Sequence, residues 1–178
     1  MSVFPDWKDH AVHQRRPMTG CIPTAYEMIL RAAQAEGIDF QTFQDDFDLD
    51  INLGRGQTEP KNHFGSIAAE IKKKYPWVIF NWKSFVTGAE KISFIDKQLE
   101  ERQPVLISLT HQHGWHIMPV VDATEDQYLL LENVDADGTL KTRWIGKAEL
   151  SQVHNSMEGG KEVAFLAELS KSVEESDS

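Results

Sequence analysis

The chain has a single cysteine, Cys21, in the stretch Met18-Thr19-Gly20-Cys21-Ile22-Pro23-Thr24, where a loop turns into a helix. A helix start presents unpaired amide N–H groups and partial positive charge, and both favour a thiolate over a thiol. A thiolate that attacks a carbonyl needs a base beside the sulfur, a third group that holds the base in one tautomer, and donors for the oxyanion. His116 enters an apolar run just after Gly114 and fits the base. Asn133 ends the next apolar run, Tyr128 to Asn133. If the two runs form a hairpin, with strands about 4.8 Å apart, its amide can reach the imidazole across the pair. Asp135 competes with Asn133 for that third position. Gln14, upstream of Cys21 in the same loop, offers a side-chain amide that would join the Cys21 N–H as the oxyanion pair.

These four residues are far apart in sequence, so the fold must bring them together. Ile22, Ala25, Tyr26, Ile29, Leu30 and Ala33 repeat at three-and-four spacing and predict a helix from Cys21, with Pro23 near its first turn and Gly37 as its stop. Phe40, Phe43 and Phe47 predict a short second helix, and Phe64, Ile67, Ala68, Ile71 and Tyr75 a third that ends before Pro76. Asp48 to Lys61 reads as an irregular loop, a candidate mobile edge of a cleft. A strand over 77–82 and a helix marked by Ile92, Ile95 and Leu99 follow. Beyond Pro104 the pattern is β: 104–110, 115–122, 127–132, 139–145 and 162–169, with turn chemistry at Asp126 and at Asp135-Ala136-Asp137-Gly138. Helices first and an antiparallel sheet second make an α+β layout. Pro119 lacks an N–H and implies an edge strand or a bulge where it falls.

Composition narrows the function classes. The 178 residues carry a net charge of −10, with no clustered basic stripe to replace phosphate counterions, so a general nucleic-acid binder is not expected. No apolar run is long enough to cross a bilayer and no signal-like start is present, which predicts a soluble cytoplasmic protein with no membrane partner. One cysteine cannot form an internal disulfide, so the thiol is free for chemistry. Residues 1–170 read as one domain and 171–178 as a frayed acidic tail. The run Gln44-Asp45-Asp46-Phe47-Asp48 reads as solvated surface, while Trp77, Trp82, Trp115 and Trp144 read mostly as core.

Each candidate also has a plainer reading: a buried apolar thiol for Cys21, a loop amide for Gln14, a backbone-satisfied imidazole for His116, a turn-shaping residue for Asn133. His111, His113 and His116 could instead bind zinc with a further ligand such as His154. A non-catalytic peptide-binding module is the third possibility.

A glutamine shortly before Gly-Cys-x-Pro-Thr at a helix start, then a strand histidine, then an Asn or Asp some sixteen or more residues on, resembles papain-like cysteine peptidases. It is most similar to the compact bacterial branch that processes double-glycine leader peptides. The resemblance implies an α+β fold with N-terminal helices packed on a C-terminal antiparallel sheet. It also implies Cys21 as nucleophile, His116 as base and acid, Asn133 as orienter, Gln14 as oxyanion donor, a peptide or protein substrate, and no cofactor or metal. No transporter-like segment follows, so leader processing itself is not expected. Peptidase, deamidase and acyltransferase outcomes share one thioester and are not separated by sequence.

Overall fold

The first helix, α1 (Cys21–Ala32), buries Ala25, Tyr26, Ile29 and Leu30 on one face, as the three-and-four spacing requires. Pro23 sits in its first turn, where a missing N–H costs nothing. The helix stops earlier than Gly37. Ala35 N–H donates to the Leu30 carbonyl at 3.0 Å and Gln34 N–H to the Arg31 carbonyl at 3.0 Å, with Gln34 left-handed at φ 58°. The two bonds cap the last carbonyls and offset the roughly 1–2 kcal/mol that a left-handed non-glycine residue costs. Gly37, at φ 76°, shapes the turn beyond.

These coordinates are a computed structural model, which describes residues 7–13, 21–47, 63–111, 114–152 and 162–170, with the side chains of 21–22, 63–66, 110–111 and 114–116 excepted. The expected 48–61 loop and the acidic tail from 171 lie outside the described residues. Among the described residues four more helices follow α1: α2 (Phe43–Asp46), α3 (His63–Lys74), α4 (Gly88–Glu100) and α5 (Lys147–Gln152). The strands are β1 (Val78–Ser84), β2 (Val105–His111), β3 (Gly114–Ala123), β4 (Gln127–Val134), β5 (Leu140–Gly146) and β6 (Glu162–Leu169). They form one antiparallel sheet in the order β1-β6-β2-β3-β4-β5. This is the α+β arrangement that the pattern of the sequence predicts. The short helix α5 carries no clear periodicity and was not expected.

Alternation along the strands divides the core in two. Leu106, Ile117 and Ala164 meet α1, α2 and α3 on one face, where Tyr26 packs edge-on against Phe80 at 4.5 Å between centroids. Val105, Ile107, Met118, Val120 and Leu130 meet Ile95 and Leu99 of α4 on the other. A third cluster closes the β3–β4 end, where Trp7, in a 3-10 turn spanning Trp7–His10, is buried against Val121, Leu129, Leu131 and Val134. Trp82 and Trp144 depart from the core expectation at 36% and 44% exposure, both on edge strands.

Pro119 lies in β3, an interior strand, opposite Leu106 of β2. The β3–β4 ladder runs from Val120 and shifts register between Val120 and Asp122. The irregularity the proline implies is therefore a bulge beside it rather than a sheet edge. Among the described residues no helix is long and apolar enough to cross a membrane.

Helix α4 is capped by the Thr87 hydroxyl, which accepts from Glu90 N–H at 3.2 Å, and its first residue touches α5. A Cβ on Gly88 would stand 2.4 Å from the Ser151 carbonyl oxygen and 2.8 Å from the Ser151 Cα. Backbone cannot move aside as a side-chain tip can. Gly88→Ala should therefore destabilise by about 1–3 kcal/mol in urea unfolding, and an unchanged midpoint would refute this packing.

Candidate active site

Cys21 is the first residue of α1, the position the sequence predicts for it. The helix packs along β3, the strand that carries His116. In the β2–β3 ladder the backbone of His116 stands opposite Leu109. The Cys21 thiol and the His116 imidazole are not among the described side chains, and Gln14 lies outside the described residues.

Asn133 lies in β4, next to a break in regularity. The β4–β5 register shifts between Leu131 and Asn133, so Glu132 is an extra residue. Leu129 and Leu131 point into the Trp7 cluster, and strict alternation would send Asn133 after them. The bulge puts Val134 there instead. Freed from that apolar cluster, the Asn133 amide donates to Asp135 Oδ1 at 3.4 Å, and Lys141 Nζ lies 3.7 Å from the same oxygen. The two candidates for the third position are thus in contact with each other.

A buried polar network connects these elements, and it went unread in the sequence. Gln44 of α2 is 1% exposed, contrary to its reading as part of a solvated run. Its Oε1 accepts from the Thr24 hydroxyl at 3.0 Å, and its Nε2 donates to the His13 carbonyl at 2.9 Å. The His13 ring in turn donates through Nδ1 to the Val134 carbonyl, which as a pure acceptor fixes that tautomer. The available signal was its neighbours: Gln44 follows Phe43 in a short helix, and Phe43 and Phe47, just beyond the helix, are both core.

A second polar group lies between α1 and the sheet. Tyr26 Oη and Ser108 Oγ are buried and find no hydrogen-bond partner among the described residues. Ser108 follows Ile107 in β2, and Ile107 stands opposite Val163 of β6, the residue after Glu162. Burial pushes the Tyr26 hydroxyl well above its ordinary pKa, and the nearby Glu162 carboxylate adds to this. Burial also raises the Glu162 pKa.

Of the zinc candidates, His113 and His154 lie outside the described residues. Among the described residues no group of three or more His, Cys, Asp or Glu is arranged to hold a metal.

No family model matches the chain, and no curated protein matches it. Among solved structures, the fold is similar to the crystal structure of a Bacillus anthracis protein assigned as a C39-like peptidase. The TM-score is 0.60 at 13% sequence identity, over 96% of this chain and 100% of that one. What the two share at that identity is the fold, helices packed on an antiparallel sheet, which is the α+β arrangement that the resemblance implies.

The raised Glu162 carboxyl carries a pH consequence. The folded protein holds this proton more tightly than the unfolded chain, so the group lowers stability as pH rises from the ordinary carboxylate value of about 4.3 through the raised one. Glu162→Gln should therefore be more stable than wild type at neutral pH, with the difference closing below that window. Urea titrations across pH test this, and parallel curves would contradict it.

Proposed function

We propose that the chain is a thiol hydrolase that cleaves peptide or related amide bonds through a thioester on Cys21. The carrying observation is that the only cysteine opens a helix packed on the strand bearing His116, within a fold shared with a C39-like peptidase. The helix start supplies N–H groups and positive potential that stabilise the thiolate.

In the proposed cycle His116 takes the Cys21 proton and the sulfur attacks the substrate carbonyl. Gln14 and the Cys21 N–H bind the oxyanion. The C–N bond breaks, His116 returns its proton to the departing amine, and the acyl group stays on sulfur. Water, deprotonated by His116, then releases the acid and the free thiol. Asn133 orients the imidazole, and its contact with Asp135 supports a role for the pair rather than for either residue alone. Double-glycine leader processing is not part of the proposal.

Cys21 alkylation by iodoacetamide, followed against pH, should have its midpoint well below the free-cysteine value of about 8.5. Cys21→Ala should abolish peptide hydrolysis. Gln14→Ala should lower turnover about 100- to 1000-fold, the usual cost of removing one oxyanion donor. The proposal is falsified if Cys21→Ala retains any activity the wild type shows.

A further inference from the structure

We propose that Gln44 is a positioning residue for the Cys21 nucleophile. Its buried amide ties the first turn of the helix that begins at Cys21 to the segment whose imidazole grips the end of β4 beside Asn133. The assignment rests on the hydrolase reading above.

Three hydrogen bonds through three side chains make the link: Thr24 to Gln44, Gln44 to the His13 carbonyl, and the His13 ring to the Val134 carbonyl. The orientation of the amide is set by chemistry. A carbonyl oxygen can only accept, so Nε2 must face His13 and Oε1 must face the Thr24 hydroxyl. The anchor is itself held. Thr42, just before the same short helix, donates to Asp46 at 2.7 Å, and Lys74 of α3 bonds to that carboxylate.

Space-filling alone does not account for a glutamine here. Phe43 on its own helix and Phe47 just beyond it are buried, and a buried amide is unfavourable unless both ends are bonded. Leucine or methionine would fill the volume without that requirement. What the amide adds is direction, because its two bonds fix where Thr24 and residue 13 sit relative to each other. Thr24 lies in the first turn of α1 and Val134 adjoins Asn133, so the network sets the separation between the nucleophile's helix and the orienter's strand. A misplacement of about 1 Å in such a site can cost roughly 100-fold in rate.

The test reads Cys21 alkylation by iodoacetamide against pH, which needs no substrate. In Gln44→Met the midpoint should rise by about half to one pH unit towards the free-cysteine value, because the imidazole no longer pairs fully with the thiolate. Thr24→Val should reproduce the rise, and Thr24→Ser, which keeps the hydroxyl, should restore the wild-type midpoint. In an Asn133→Ala background, Gln44→Met should add little, since the two act on one geometry. A merely structural residue would lower the melting temperature and leave the midpoint unchanged, and that result overturns the assignment. If Gln44→Met does not fold, equal midpoints for Thr24→Val and Thr24→Ser overturn it instead. A free-thiol midpoint already present in the wild type overturns the hydrolase reading and this assignment together. A low wild-type midpoint that Gln44→Met leaves unmoved overturns this assignment alone.

Discussion

The burial of one face of α1 against the sheet is the constraint on which the remaining architecture rests. Ala25, Tyr26, Ile29 and Leu30 can leave water only where Leu106, Ile117, Phe80 and Ala164 supply an apolar surface, and this fixes the helix over the central strands. Burying each large side chain contributes on the order of 1.5–3 kcal/mol. Once the helix is seated, its first residue is seated too. Cys21 therefore inherits its position from residues that take no part in the proposed chemistry, and α2 and α3 serve to close the apolar surface around them.

The elements that follow strict periodicity were legible from sequence. The start of helix α1, helix α4 and five strands of the second half fall close to their expected limits because an apolar face repeated every three to four or every two residues has one efficient way to be buried. The helix stop at Gln34 was not legible, since a left-handed glutamine depends on which carbonyls need capping. The exposed tryptophans were misread for a related reason. Composition assigns Trp to the core, yet strand order decides which strands are edges, and β1 and β5 are the edges here.

The candidate site was legible in part. The order of Cys21, His116 and Asn133 along the chain and the elements that carry them were readable because helix starts and strand ends leave local signatures. The polar connections were not. Gln44 lies among acidic residues in sequence, and only the fold turns it inward to meet Thr24 and His13. The link from Asn133 to Asp135 likewise depends on the Glu132 bulge, a property of strand pairing rather than of composition.

Trp7 covering the β3–β4 end has a consequence for how the chain acquires its structure. Its pocket is built from Val121, Leu129, Leu131 and Val134, and the His13 ring bonds across 121 positions of sequence. Strand β1 pairs with β6, far along the chain. Contacts of such long sequence separation require loop-closure entropy to be lost before any burial is gained, which slows folding. Emerging from the ribosome, the early helices have no sheet to settle on. Until β6 is made, apolar strand faces stay open to chance association, so the sheet closes only after the last of its six strands has been synthesised.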